Sequence, residues 1–340
     1  MKHGHLWIGI GISLALVVYL FSRVDYGRLW GALTSVNLPL LAFASALLAS
    51  TLALRSWRWH YILKPLKTVG FGNLVTATSI GMMANMIFPA RLGEIVRAVV
   101  IGQRERIDTS ASFATVIVER LLDGFTILFI FGVLLLVAPL PLDRTWARAM
   151  RWGGLLTLAF YLGVLGFLLC LHHARDRVLR GVQRLARVLP GRWVDGLVYF
   201  LSSFSDGLQT LGGRDFLPHL IITSLILWIA FGLYNFLVVL AFDLHLPLSV
   251  GFLLLVFQAF AVMIPSSPGF VGTYHAASVA CLTLWGITAE SALSVALVMH
   301  AGNFFITIAF GAGSLWVIGA SLRDLLRRDS ALKGTPTSAM

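Results

Sequence analysis

The chain has 340 residues, 58% of them hydrophobic and only 12% charged, with a formal net charge of +11. A soluble domain carries charge on roughly a quarter of its residues, so there is too little polar side chain here to coat one, and the composition is that of an all-α integral membrane protein. The excess of base does not point to nucleic acid, because the arginines and lysines fall in short clusters between apolar runs (Arg55 to Lys67, Arg104 to Arg106, Arg175 to Arg192, Arg323 to Arg328), the pattern of cytoplasmic loops under the positive-inside bias.

Leu6 to Phe21 is the first apolar run. It continues into Ser22-Arg23-Val24-Asp25 without a small-x-small cleavage site, which makes it a retained helix rather than a signal peptide. Leu40 to Leu54 follows, and Arg55, Trp57, Arg58 and Trp59 at its end read as an interfacial anchor. Phe71 to Pro89 then runs into Arg91-Leu-Gly-Glu94-Ile-Val-Arg97, so the chain turns at a proline and carries charge where a span should continue. Thr109 to Ala138 is a long helix with Asp108 as its N-cap. Residues 140–151 are expected to form an external loop.

Trp152 to Leu171 opens a second half. Residues 172–215 are expected to lie on the cytoplasmic interface: Val178, Val182, Leu185 and Leu189 repeat at helical spacing among Arg175, Arg177, Arg180, Arg184 and Arg187, and a second, more apolar segment runs from Trp193 to Leu211. Leu217 to Phe242 and Val250 to Ile264 come next, then a Pro/Gly break, Pro265-Ser-Ser-Pro268-Gly-Phe-Val-Gly272, then Val271 to Ile287 and Ala292 to Leu322. The tail, 323–340, is expected in the cytoplasm. Cys170 and Cys281 sit in apolar runs and read as buried thiols, with neither a disulfide framework nor metal spacing.

These segments predict about six spanning helices and two broken or re-entrant hairpins. Met86-Ile-Phe-Pro89 and Met263-Ile-Pro265 each lead to a glycine four residues after the proline, Gly93 and Gly269. That likeness divides the chain into a first repeat over 1–139 and a second over 152–322. Both termini fall on the cytoplasmic side by the charge bias, which inverts the second repeat relative to the first. The hairpins around Pro89 and Pro268 are then expected to meet near the bilayer centre. Whether they re-enter or cross fully stays open.

Six charges are placed where charge is costly: Arg91, Glu94, Arg97, Glu119, Arg120 and Asp123. At 1.5 Å per residue Glu119 lies about 16 Å into its helix, near the middle of a ~30 Å core. Glu119 and Asp123 share a face at i,i+4, as do Arg91 and Glu94 at i,i+3. Unpaired, the six would cost on the order of 15–20 kcal/mol, so they must pair, hydrate or bind a ligand; among themselves they sum to zero. One reading is a lock between the hairpin and the next helix. Buried ion pairs gain little stability over apolar packing, which favours a polar cavity where arginine forks hold phosphate. Ser266, Ser267, Gly269, Thr273, Tyr274 and His275 at the second break, with Asn303, are candidates for its other wall. Walker A, Gly-x-Ser-x-Gly and His-Glu-x-x-His patterns are absent from the sequence, so neither an enzyme nor a cofactor or metal is expected.

Pro89-Ala-Arg-Leu-Gly-Glu94, Glu119-Arg-Leu-Leu-Asp123 and Pro265-Ser-Ser-Pro-Gly-Phe-Val-Gly-Thr273, in this order, resemble the lysylphosphatidylglycerol synthase transmembrane-region family, which includes the membrane portion of the multiple peptide resistance factor. The resemblance covers almost the whole chain. It implies a flippase-like role in a bacterial inner membrane, moving a phospholipid, an aminoacylated lipid or a polyprenyl- or hopanoid-linked lipid, and it implies no aminoacyltransferase domain in this chain. The competing expectation is a non-transporting membrane partner of a separate lipid-modifying or glycosyltransferase enzyme. Membrane lipids are the expected partners; oligomeric state is not legible.

Overall fold

The structure, a computed structural model, describes residues 4–22, 24–88, 91–138, 140, 144–174, 191–208, 217–264 and 266–319. Among these there are twelve α-helices and no strand. In chain order they are α1 Gly4–Phe21, α2 Tyr26–Thr34, α3 Leu38–Leu63, α4 Phe71–Ile87, α5 Gly93–Glu105, α6 Thr109–Val137, α7 Arg144–His173, α8 Gly191–Gly207, α9 Leu217–Ala241, α10 Ser249–Met263, α11 Thr273–Thr283 and α12 Ala289–Ile318.

Five of them carry stretches long and apolar enough to cross a bilayer: α3, α6, α9, α12 and the Ala147–Leu171 part of α7. The 26 residues of α3 give about 39 Å of helix, more than the ~30 Å needed. α1, the sixth expected span, is apolar over Gly11–Phe21. Local chemistry sets where these helices begin. Asp108 accepts from the Ser110 and Ala111 amides at 2.8 and 3.1 Å, the cap expected from sequence, and Asn37 and Thr288 cap α3 and α12 in the same way. Helix α7 starts at Arg144, inside the stretch expected to be a loop.

The halves follow the same order: a long helix, a broken hairpin, a long helix. In the first, α4 and α5 pack backbone to backbone, with Gly93 against the Gly81 carbonyl and Asn85, and Gly81 against Arg97. In the second, Gly251 of α10 lies against the Gly232 carbonyl and Phe236 of α9. A 3-10 turn, Pro268–Phe270, joins α10 to α11. It needs left-handed backbone at Gly269 (φ 68°) and Gly272 (φ 88°), which glycine adopts without a Cβ penalty. The hairpin tips touch. Arg91 Nη2 donates to the Val262 carbonyl at 3.4 Å, its guanidinium lies 5.8 Å from the Phe270 ring, and the Met86 carbonyl would stand 3.3 Å from a Cβ on Gly269.

Three readings of the sequence need correction. Arg55 and Arg58 are not at an interface: both are buried with Trp59, and of that group Trp57 alone is exposed. Arg91 has φ 54° and precedes the first residue of α5, so it and Glu94 are joined by a turn, the Glu94 amide donating to the Arg91 carbonyl at 3.1 Å, rather than by a shared face of regular helix. Cys170 is exposed, whereas Cys281 is buried. Pro89, Pro265, the 175–190 segment, 209–216 and the tail lie outside the described residues.

Candidate functional site

The charges converge from three helices onto one face of α6. Arg58 of α3, fully buried, bridges both α6 acids, 3.0 Å from Glu119 Oε1 and 2.7 Å from Asp123 Oδ1, and donates to Ser224 Oγ of α9 at 3.1 Å. Arg97 of α5 comes within 2.9 Å of Glu119 Oε2, yet none of its side-chain nitrogens makes a well-directed hydrogen bond; its guanidinium lies over Trp59, 3.7 Å from the ring centre, a cation–π contact strengthened by burial. Arg120, on α6 itself, reaches Glu119 at 2.8 Å, Asp123 at 3.0 Å and Glu94 at 3.6 Å. The Trp228 indole donates to Asp123 Oδ1 at 2.9 Å.

Arg55 changes the balance. It sits three residues before Arg58, 3.9 Å from Asp123 Oδ2, beside the neighbouring rings of Trp228 and Phe231, and its Nε and Nη1 atoms are buried without a hydrogen-bond partner. Arg91 has no carboxylate within 4 Å among the described residues. Five guanidinium groups therefore face three carboxylates, and the six predicted charges, neutral among themselves, belong to a cluster with two positive charges in surplus.

Beside this cluster is a cavity of about 260 Å³, just under the ~300–1,000 Å³ typical of pockets for drug-sized ligands. Arg55, Arg91, Arg120, Glu94 and Asp123 form its charged wall. Asn235, Gln258, Tyr274, His300 and Asn303 contribute neutral polar groups, and Leu48, Met82, Ile127, Phe131, Phe231 and Phe260 an apolar lining. Of the residues expected at the site, Arg91, Glu94, Arg120, Asp123, Gly269, Tyr274 and Asn303 line the cavity. Glu119 and Arg97 are sealed behind it and hold the others in place.

The remaining candidates shape the turn. Ser267 offers its amide to Ser13 Oγ at 2.8 Å, the Thr273 hydroxyl donates to the Phe270 carbonyl at 3.2 Å, and His275 Nδ1 accepts from the Gly272 amide at 3.2 Å. Ser266 is partly buried beside them and does not line the cavity. His300 Nε2 lies 2.7 Å from the Gly269 carbonyl, where it can only donate. A neutral chain, Asn235 to Gln258 at 3.0 Å and Gln258 to Ser278 at 3.2 Å, backs this wall.

A family model described as the lysylphosphatidylglycerol synthase TM region matches residues 6–311. The chain belongs to this family. The matched region of the lysylphosphatidylglycerol synthase TM family contains both hairpins and every residue lining the cavity. Among curated proteins the chain is similar to one named glycosyltransferase AglD from Haloferax volcanii, 27% identical over 96% of this chain and 56% of that protein; the chain thus spans little more than half of that relative. It is also similar along nearly their full lengths to a UPF0104 membrane protein from Methanothermobacter thermautotrophicus, 25% identical over 96% of this chain and 99% of the relative. Another UPF0104 membrane protein, from Methanocaldococcus jannaschii, is 23% identical over 70% of this chain and 94% of its own length.

Proposed function

We propose that this membrane protein is a lipid transporter of flippase type, which holds a lipid headgroup in the charged cavity while the acyl chains stay in the bilayer. The observation that carries the reading is the surplus of guanidinium beside a cavity whose other walls are apolar and uncharged polar groups, with Arg91 outside any ion pair and Arg55 only partly satisfied. Building such a cluster is a poor route to stability, and charge buried in a membrane chain marks a functional site by default. Arginine forks suit phosphate oxygens. The cavity is of headgroup size, and Ile87, Leu92, Met263 and Ile264 at the hairpin ends are exposed, an apolar path for acyl chains.

Alternating access between the two halves would exchange the leaflets, with both termini on the cytoplasmic side of a prokaryotic cell membrane; the sequence reading places it in a bacterial inner membrane, and the relatives named above are archaeal. No catalytic step is assigned. Purified protein in liposomes should accelerate leaflet exchange of a lipid from a native extract. Failure with every lipid of that extract overturns the reading. One observation favours a second reading, a membrane partner for a lipid-modifying or glycosyltransferase enzyme: the chain matches 56% of a protein named a glycosyltransferase. Such a partner would move no lipid alone and would co-purify with an enzyme.

A further inference from the structure

The pairing pattern says which sign of headgroup the cavity can take. Each acid at the site is already engaged. Glu119 is met by Arg58, Arg97 and Arg120, and Asp123 by Arg58, Arg120 and the Trp228 indole. Glu94 has Arg120 at 3.6 Å and the Asn85 amide at 3.5 Å. A cationic headgroup entering the cavity would find no carboxylate without a guanidinium already beside it, and would add positive charge next to a surplus of two. The groups left over are cationic: the Arg91 guanidinium, turned to the cavity with a long contact to the Val262 carbonyl, and Arg55, which lines the cavity with its nearest carboxylate, Asp123, at 3.9 Å. The opposite wall adds no charge at all, since between Asp243 and Glu290 the sequence has no Asp, Glu, Lys or Arg.

We infer that the cavity selects lipids whose headgroup is a net-anionic phosphate ester, with Arg91 and Arg55 as the phosphate-binding residues, and discriminates against aminoacylated headgroups that carry net positive charge. This rests on the transporter reading and narrows its substrate class. An anion is favoured twice: it offers the cavity-lining guanidinium of Arg91 a better acceptor than its long contact to a carbonyl, and it neutralises the surplus charge in a site where the low dielectric magnifies both terms. A cationic amine gains neither.

The test is a comparison of headgroups with the acyl chain labelled, so that each headgroup is native. Proteoliposomes of phosphatidylcholine are doped in turn with labelled phosphatidylglycerol, phosphatidylcholine and lysyl-phosphatidylglycerol, and leaflet exchange is followed by quenching from outside. The expected result is exchange of phosphatidylglycerol about tenfold or more faster than of the lysyl lipid, the factor that one charge-assisted hydrogen bond supplies. In Arg91→Gln, a substitution at a cavity-facing position with no ion pair to break, that preference should fall by about tenfold. Exchange of the lysyl lipid as fast as of phosphatidylglycerol would overturn the inference and leave the transporter reading standing; exchange of none, with a native extract also inert, would overturn both. A second arm loads the vesicles with radiolabelled glycerol 3-phosphate. Retention of the label is expected, and its release would assign the site to soluble phosphate esters rather than lipids. The wild-type comparison needs no variant to fold.

Discussion

Around the first hairpin, α4/α5, five guanidinium groups and three carboxylates crowd against α6, whereas the second hairpin, α10/α11, is held by neutral groups: Gln258 to Asn235 and Ser278, His300 to the Gly269 carbonyl, and glycines in left-handed backbone. Both hairpins are broken helices, and non-helical backbone inside a membrane protein is tolerated only where protein buries it or where it lines a cavity. The second hairpin meets that demand by direct hydrogen bonding. The first surrounds its break with more charge than any cap requires. Holding a broken helix does not therefore need ions, and the proposed headgroup site gives the ions on the first side a role that holding the break does not.

The contrast makes its largest prediction at Arg58. Arg58→Met should take from both Glu119 and Asp123 the buried guanidinium that bridges them and cost ~3–5 kcal/mol, read as loss of thermal stability in detergent or of monodisperse protein. On the neutral side, Gln258→Leu should cost ~1–3 kcal/mol, the penalty for leaving buried amide and hydroxyl groups unbonded. If the two variants lose equal stability, the distinction between the walls is wrong. Where the hairpins rely on close packing they should behave alike. Gly93→Ala and Gly251→Ala each drive a Cβ into backbone, and each should lose ~1–3 kcal/mol from overpacking in the same unfolding scan.

Smaller effects sharpen the picture at the far end of the first hairpin. Glu105 accepts from Asn73 at 2.6 Å and pairs with Lys67 at 3.0 Å. The Asn73 hydrogen bond, then Lys67 and Arg104, hold its carboxyl below the usual glutamate range against the opposing effect of burial. A depressed folded pKa contributes stability that is present above the unfolded value, about 4.3, and is lost as pH falls through the folded one. Glu105→Gln should therefore flatten the acid limb of a stability profile, with a small loss of stability at neutral pH that disappears as the pH falls through the folded value. Least of all, Arg91→Gln should alter stability by under ~0.5 kcal/mol; a large loss would show that Arg91 is a strut between the hairpin tips rather than a ligand.

Much of the fold could be read from the sequence because spanning helices announce themselves by length and apolarity, and because the Asp108 cap and the two Pro/Gly breaks use local rules. The charges of α5 and α6 were legible for the same reason: ionisable groups stand out within apolar runs. Arg55 and Arg58 were misread because an Arg-Ser-Trp-Arg-Trp string is also what an interfacial anchor looks like. The available signal was spacing. Leu48, Thr51, Leu52, Arg55, Arg58, Trp59 and Ile62 recur at three- and four-residue intervals, and all are buried in α3. This is one continuous inward face, with its arginines less than a helical turn apart. The pairing itself depends on where α3 crosses α6, which no local pattern encodes. His300 and Gln258 were visible as polar residues in apolar runs, but their partners, Gly269 and Asn235, are 31 and 23 residues away.

The contact between Gly81 and Gly93 has a mechanical consequence. With no side chain between them, α4 and α5 have no soft layer along which to shear, so the hairpin is a lever rather than a spring. Helix α5, at 13 residues, is about 20 Å long. Its fulcrum is the glycine pair, its short arm ends at Arg91, and its long arm ends where Lys67 and Asn73 hold the Glu105 carboxylate and Arg104 holds Asn73. Were a headgroup to load Arg91 as proposed, the load would be delivered to the other end of the hairpin, at the surface cluster, without any rearrangement inside the helices that carry it.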